Sequence, residues 1–247
     1  MESYDVFSKY YDIFTKDVDY LNTAEYICEI FKKYDRMPTL LLDVGCGSGN
    51  FSRQFYKKGI DVIGVDISEG MLSVAKEKAQ DENQNILYLN QSASELDLYG
   101  TVDGAVCLLD TVNHIVCKKE LQQSFNKISL FLEKERLFVF DVNTEYKQKE
   151  ILGNNTFVYE DEQVYLTWQN FYDKSAKITD MQLDFFENEK GMYKRETVDF
   201  CERVYETSEL EKMLNKAGFK LEAVFAENTF LKPTKKTQRS VFVARKE

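Results

Sequence analysis

The sequence has no run of about 18 apolar residues, which is the length that a membrane-spanning helix needs. Its start, MESYDVFSKYYD, lacks the basic residues and the apolar stretch of a signal peptide. We therefore expect a cytoplasmic protein without a membrane segment. The five cysteines are odd in number and scattered without a CxxC pair, so the sequence indicates neither a disulfide framework nor a metal site.

Positive charge is also scarce, because 32 lysines and arginines stand against 42 aspartates and glutamates, giving a formal net charge of −10. Such a balance opposes the electrostatic attraction that supplies most non-specific nucleic-acid affinity, so a nucleic-acid partner is disfavoured. A basic cluster occurs near the end of the chain, at Lys232, Lys235, Lys236 and Arg239. We interpret it as a solvated hairpin loop rather than a phosphate-binding patch, since short basic blocks on acidic proteins usually lie on the surface.

Hydrophobic residues make up 43% and charged residues 30% of the 247 positions, which is typical of a globular chain. An aromatic-rich start from Tyr4 to Phe14 and an apolar helical pattern from Ala24 to Phe31 predict N-terminal helices. After Pro38, strands are predicted at TLLLDVG, 61–66, 86–90, 104–109 and 136–142, with helices at 50–58, 68–80 and 118–132. This α/β alternation favours right-handed crossovers and a doubly wound parallel sheet with helices on both faces.

The pattern changes between residues 155 and 205, where apolar and polar residues alternate and short turn-like stretches join the segments. Such segments predict an antiparallel sheet that is exposed on one side. A helix ending near Gly218 and two strands then close the chain. We predict one domain from 1–150 and 206–247, with 151–205 inserted as a small antiparallel β cap. The aromatic residues of the cap either fill a core between the two sheets or form a lid or a dimer interface.

The strongest local feature is LLLDVGCGSGN, a buried strand that runs directly into glycines at 45, 47 and 49. Glycine lets the backbone approach a ligand and adopt angles that a Cβ forbids, and the next helix offers free N–H groups. Asp66 ends the following strand, 21 residues after Gly45, where α/β folds place a carboxylate that accepts hydrogen bonds from ribose. Together these features indicate a nucleoside-cofactor site.

The stretch Asp43-Val44-Gly45-Cys46-Gly47-Ser48-Gly49 resembles the first motif of the class I S-adenosylmethionine-dependent methyltransferases, an acidic residue followed by G-x-G-x-G. The dinucleotide fingerprint G-x-G-x-x-G instead requires glycine at position 50, where this chain has Asn50. The resemblance implies a seven-stranded, mostly parallel Rossmann-like sheet and methyl transfer from S-adenosylmethionine to a small-molecule acceptor. The alternatives are an NAD-dependent oxidoreductase and a non-catalytic protein that binds S-adenosylmethionine.

The resemblance also implies that Asp66 holds the ribose of the cofactor and that Ile67 lies against the adenine. The family usually has an acidic residue after the third strand for the adenine amino group. This chain has Ser92 there, and the Ser92 hydroxyl or the Ala93 N–H is the expected substitute. The cofactor-binding residues implied in this way are Tyr11, Asp43, Gly45, Cys46, Gly47, Gly49, Asp66, Ile67, Ser92, Ala93 and Leu109.

Acceptor binding is predicted after the fourth strand, in LLDTVNH. The Asn/Asp-Pro-Pro-aromatic motif, with which some relatives position an amino group of DNA or glutamine, is absent, which disfavours those acceptors. His114 is the only histidine and the candidate general base, with packing or helix capping as the alternative. Further acceptor-binding candidates, each with a structural alternative, are Asp110, Trp168 and Arg203. The expected assembly is a monomer or homodimer.

Overall fold

The structure is a computed structural model that describes residues 7–160 and 164–247, so Tyr4 of the predicted aromatic start lies outside the described residues. The helices are α1 (Tyr11–Phe14), α2 (Tyr20–Lys33), α3 (Asn50–Lys57), α4 (Glu69–Asp81), α5 (Thr111–His114), α6 (Lys118–Phe131) and α7 (Thr207–Lys216). The strands are β1 (Leu40–Val44), β2 (Asp61–Asp66), β3 (Leu87–Asn90), β4 (Gly104–Cys107), β5 (Leu137–Asn143), β6 (Thr156–Glu160), β7 (Val164–Asp173), β8 (Ile178–Glu189), β9 (Met192–Arg203), β10 (Phe219–Ala226) and β11 (Arg239–Lys246).

The main sheet has seven strands in the order β10-β11-β5-β4-β1-β2-β3. Strand β1 pairs in parallel with β2 and β4, and β3 and β5 extend the parallel part on either side. Strand β11 is antiparallel to both of its neighbours, β5 and β10. This is the doubly wound, mostly parallel sheet that the sequence predicts. The strand order reverses between β1 and β4, which creates the crevice where such sheets bind ligands.

Helices cover both faces of the main sheet because its strands are apolar on both sides. In β5, Phe138 and Phe140 point to a cluster that includes Phe125 of α6. Leu137 and Val139 point the other way, into a cluster with helices α2 and α3. The two faces follow from the alternation of side chains along a strand. Packing on both faces therefore holds the parallel strands side by side, with their carboxyl ends at the same edge of the sheet.

The second sheet has four antiparallel strands in the order β6-β7-β8-β9. One of its faces is buried against the N-terminal segment, where the Tyr10 ring stacks on Phe185 with 4.3 Å between centroids. The other face carries exposed aromatic side chains, among them Phe171 and Tyr193. The sheet is thus exposed on one side, as predicted, and its aromatic residues divide between the core and the surface.

Two local features differ from the predicted pattern. Strand β4 ends at Cys107 rather than at residue 109, because Leu109 and Asp110 have φ of 52° and 56° and turn the chain into α5. A short π-helical turn, Lys147–Leu152, follows β5 and was not predicted. Within the described ranges, none of the helices combines the length and the apolar character that crossing a membrane requires.

Candidate active site

A cavity of about 490 Å³ opens at the carboxyl ends of the parallel strands, beside the crevice between β1 and β4. Helix α1 and the second sheet enclose it from the opposite side. Its volume falls within the range of roughly 300–1,000 Å³ that is usual for small-molecule and cofactor sites. The loop after β1 and Asp66 contribute to one end, and His114, Glu202 and Trp168 contribute to the other.

The glycines of the loop after β1 are required by contacts within the chain. Gly45, Gly47 and Gly49 have φ of 70°, 52° and 72°, a region in which other residues are strained. A Cβ on Gly45 would lie 2.3 Å from Thr111 Cγ2, and one on Gly49 would lie 2.4 Å from the Tyr88 hydroxyl. Gly45 and Gly47 line the cavity, whereas Gly49 caps helix α3 behind it.

Asp66 lies at the end of β2, directly beside this loop. Its Oδ2 accepts a hydrogen bond from the Gly47 N–H at 2.9 Å, and its Oδ1 accepts one from the Ser68 N–H at 2.9 Å. The next residue, Ile67, is 41% exposed and lines the same wall of the cavity as Ala93. A carboxylate next to an accessible apolar surface fits a nucleoside, whose ribose hydroxyls donate hydrogen bonds and whose base is flat and weakly polar.

A smaller cavity of about 30 Å³ lies behind the loop and is lined by Tyr20, Asp43 and Cys46, among others. The Tyr20 hydroxyl is buried and has no hydrogen-bond partner in the described part of the chain. Asp43 accepts a hydrogen bond from the Ser52 hydroxyl at 2.6 Å. Burial, helped by the charge of Asp66, nevertheless raises the pKa of Asp43 to about 6. The smaller cavity therefore offers a polar ligand group a hydroxyl and a carboxyl group.

Helix α1 is fastened across the loop by Asp12. The Asp12 carboxylate accepts a hydrogen bond from the Ser48 hydroxyl at 3.1 Å and forms an ion pair with Lys78 of α4. Tyr11 therefore lies over Gly47, where a Cβ would be 3.8 Å from the tyrosine hydroxyl. Tyr11 lines both cavities, and burial raises its pKa well above the ordinary value. The N-terminal helix thus covers the glycine loop.

Asn143 organises the polar floor at the other end of the large cavity. Its amide nitrogen donates to Asp110 Oδ2 at 2.6 Å and to Glu202 Oε2 at 2.9 Å, and its Oδ1 accepts from Lys147 Nζ at 2.9 Å. Its backbone N–H donates to Asn113 Oδ1 at 2.8 Å. One buried amide therefore holds two carboxylates and an ammonium group against the cavity.

Arg239 also belongs to this floor. It is 7% exposed and contacts Asp141 at 2.7 Å, Glu227 at 3.2 Å and Asp110 at 3.4 Å. The predicted solvated loop is therefore wrong for Arg239, because pairing of β11 with β5 draws it opposite Asn143. Burial by itself would raise the pKa of Asp110, but Arg239, Lys147, His114 and the hydrogen bond from Asn143 together outweigh it and lower that pKa to about 2. The rest of the basic cluster is exposed, as predicted: Lys232, Lys235 and Lys236.

His114 ends α5 and lines the cavity next to this floor. Its Nε2 lies 3.7 Å from Glu202 Oε1, and the two side chains are 25% and 4% exposed. The imidazole ring meets the Phe200 ring edge-on, with 5.9 Å between centroids. The predicted general base therefore faces the cavity beside a buried carboxylate.

The second sheet supplies an apolar wall at this end of the cavity. Trp168, Met181 and Phe200 come from three of its strands and face Phe14 of α1. The Trp168 and Phe14 rings are 5.1 Å apart. Trp168 Nε1 is buried and makes no hydrogen bond to any described residue. The wall is thus aromatic and presents one unused N–H donor.

Most predicted site residues line the large cavity: Tyr11, Gly45, Gly47, Asp66, Ile67, Ser92, Ala93, Leu109, Asp110, His114 and Trp168. Asp43 and Cys46 line the smaller cavity instead, and Gly49 lines neither of the two. Arg203 lies outside the cavity, because its guanidinium group donates to the carbonyls of Val116 at 2.7 Å and Ala176 at 3.0 Å.

Sequence reasoning missed the polar floor of the cavity, which is formed by Asn143, Lys147, Glu202 and Arg239. Asn143 ends a parallel strand, which is where site residues of such sheets gather, so this rule could have found it. No sequence pattern points to Glu202, because an acidic residue in a strand of alternating apolar and polar residues is expected on the exposed face.

A doubly wound sheet with a glycine loop after its first strand and a carboxylate at the end of its second defines a nucleoside-cofactor-binding protein. Residues 41–135 match the family model of a methyltransferase domain. A proposed methyltransferase of Geobacillus sp. strain WCH70 is 29% identical over 246 residues, which is 99% of this chain and 100% of that protein. A proposed methyltransferase of Bacillus subtilis strain 168, YqeM, is 33% identical over 209 residues, 83% of each chain.

Among solved structures, an S-adenosylmethionine-dependent methyltransferase from Clostridium acetobutylicum ATCC 824 is similar, with 28% identity and a TM-score of 0.87 over 96% of both chains. The chain therefore belongs to the class I S-adenosylmethionine-dependent methyltransferases. Its cofactor is S-adenosylmethionine, as the motif at 43–49 predicts, and neither the oxidoreductase nor the non-catalytic alternative has support.

Proposed function

We propose that the protein transfers the methyl group of S-adenosylmethionine to a small molecule that has an apolar body and a proton-bearing nucleophile. The observation that carries this proposal is a single cavity that runs from Asp66 and the glycine loop to His114 and an aromatic wall. The aromatic wall suits an apolar acceptor, and the enclosing second sheet restricts its size.

Asp66 is the proposed ribose ligand, and Ile67 with Ala93 is the proposed adenine surface. Tyr20 and Tyr11 are the proposed ligands of the amino-acid end, a role supported by the buried Tyr20 hydroxyl and by the position of both residues at the smaller cavity. Asp43 acts behind them through its hydrogen bond with Ser52 rather than from the lining of the large cavity.

The cofactor supplies a methyl group on a positively charged sulfur, which leaves as a neutral thioether when the acceptor lone pair takes the methyl carbon. The protein's task is alignment of the acceptor and exclusion of water, which is worth roughly 7–11 kcal/mol in well-oriented systems. The apolar wall and helix α1 exclude water here. His114 takes the proton that the acceptor heteroatom loses, a contribution of about 10²- to 10⁴-fold in rate.

Cofactor assignment is tested by calorimetric titration with S-adenosylhomocysteine. Asp66→Ala should weaken binding by about tenfold or more, since it removes hydrogen bonds to a charged acceptor. Asp61→Ala, at the exposed start of the same strand, is the matched control and should bind like wild type. Unchanged affinity in Asp66→Ala contradicts the ribose assignment.

Acceptor class is tested by screening metabolites for release of S-adenosylhomocysteine. An active acceptor should be a small apolar molecule with a hydroxyl or amino group, and His114→Gln should lower kcat on it by about 10²-fold or more. Release only in the presence of nucleic acid or protein would overturn the proposal. A wild-type rate for His114→Gln would remove His114 as the base.

A further inference from the structure

Glu202 is a buried carboxylate for which the proposed function has no task. It lies on β9 of the second sheet, and its side chain is 4% exposed. Asn143 donates to its Oε2 at 2.9 Å, and Gln148 donates to the same oxygen. Thr179 of β8 in turn donates to Gln148 Oε1, which fixes the orientation of that amide. Three separate segments of the chain, β5, the π-helical turn and β8, thus hold one carboxylate of β9.

Burying a carboxylate costs free energy unless charge and hydrogen bonds compensate for it. Neighbouring Asp110 is compensated by Arg239 at 3.4 Å. Within residues 7–160 and 164–247, the basic group found within 4.0 Å of Glu202 is His114, with 3.7 Å between Nε2 and Oε1. The hydrogen bonds from Asn143 and Gln148 therefore hold the Glu202 carboxylate toward His114 and the cavity rather than toward a structural cation.

We propose that Glu202 is a positioning residue that orients the His114 imidazole and stabilises it when it carries a proton. This inference rests on the proposed function of His114 as a base. When the acceptor transfers its proton to His114, the imidazolium forms beside the Glu202 carboxylate, so no net charge is left unpaired at the cavity floor. The carboxylate itself gains no proton in this step, and its role parallels that of carboxylates that orient catalytic histidines elsewhere.

The other charged groups near this pair come from three elements. Asp110 precedes α5, Lys147 lies in the π-helical turn, and Arg239 begins β11. Burial and the charge of Asp110 raise the pKa of Glu202, whereas His114 lowers it. Asp110 and Glu202 are two carboxylates that interact electrostatically with His114, and Asp110 is already paired with Arg239. Removing the charge of Glu202 should make the imidazole harder to protonate.

The single histidine of the chain makes a direct test possible. In protein without a histidine tag, proton NMR follows the titration of His114 alone, with no cofactor or acceptor present. Glu202→Gln should lower the pKa of His114 by about one unit or more, a tenfold loss of proton affinity. Asp184→Asn removes another buried carboxylate of the second sheet, one that pairs with Arg195, and should leave the His114 titration unchanged.

A His114 pKa in Glu202→Gln that equals or exceeds the wild-type value overturns the proposal. If circular dichroism shows that Glu202→Gln is unfolded, Glu202→Asp serves instead, because it keeps the charge but withdraws it by one methylene. In Glu202→Asp the His114 pKa should fall below the wild-type value, but by less than in Glu202→Gln. A His114 pKa equal to the wild-type value would equally overturn the proposal. Since the titration needs no turnover, it separates failure of the pair from failure of His114 as the base.

Discussion

At the scale of single residues, the glycine loop is constrained by the protein before any ligand enters. Gly45 combines a φ of 70° with a Cβ position 2.3 Å from Thr111 Cγ2, whereas Gly59 has a φ of 81° and no atom within 4 Å of its Cβ position. Comparing substitutions at the two positions therefore separates the cost of a positive φ from the cost of steric overlap with the added Cβ.

Gly45→Ala should destabilise the protein by about 3 kcal/mol or more, since left-handed strain and a side-chain clash add. Gly59→Ala is the matched control and should cost about 1–2 kcal/mol, from the strain alone. Urea unfolding measures both. If both variants lose the same free energy of unfolding, Thr111 moves aside and the clash with the added Cβ contributes nothing to the loss.

Asp43 predicts a pH effect on stability. Because its pKa is raised to about 6 in the fold from an ordinary value of 3.8, the native state binds more protons than the unfolded state between these values. Stability contributed by protonated Asp43 is therefore present at low pH and is lost as pH rises toward 6. The loss amounts to roughly 3 kcal/mol, from about 1.4 kcal/mol for each unit of pKa shift.

Asp43→Asn removes this titration while keeping the shape of the side chain. The stability of Asp43→Asn relative to wild type should rise by roughly 3 kcal/mol between about pH 4 and pH 7. Urea unfolding at several pH values checks this, and taking the difference cancels the other titrating groups. A difference that is constant with pH would mean that the pKa of Asp43 is ordinary.

At the scale of elements, the four-residue helix α1 is too short to be stable alone, so its contacts decide its position. Asp12 links it to Ser48 of the glycine loop, to Asn50 of α3 and to Lys78 of α4. These contacts hold Tyr11 over Gly47.

Asp12→Asn should weaken binding of S-adenosylhomocysteine by about threefold to tenfold, because the covering position of α1 becomes less populated. Lys78→Gln should have a similar effect, and the double variant should be no worse than either single one, since both break the same link. Lys76→Gln, exposed on the same helix, is the control. If the losses of affinity in the two single variants add up in the double variant, Asp12 and Lys78 do not act through the same ion pair.

At the scale of the whole molecule, the two sheets share one cavity, so ligand binding should stabilise both together. At about 100 times its Kd, S-adenosylhomocysteine should add roughly 2.7 kcal/mol, equivalent to an increase in Tm of about 5–10 °C for a chain of this size. Thermal scanning with the protein's own fluorescence checks this. NAD should produce no increase, and an increase with NAD instead would contradict the cofactor assignment.

The doubly wound core and its glycine loop could be predicted from the sequence because their signals are local. Apolar runs separated by helical periods define strands and crossovers, and handedness rules leave few ways to arrange them. The order of Asp43, the three glycines and Asp66 also predicts which residues bind the cofactor, and their individual roles stay predictions. Domain boundaries at 150 and 206 and the choice between monomer and homodimer stay predictions.

What only the tertiary structure decided is the polar floor at the His114 end of the cavity. Glu202, Lys147 and Arg239 come from segments far apart in the chain, and each reads on its own as a surface charge. Glu202 and Arg239 become buried, and Lys147 partly buried, only because the second sheet folds over the main one and because β11 pairs with β5. Local patterns fix which residues form strands, but burial of a charge depends on partners from distant segments, and those partners exist only in the folded chain.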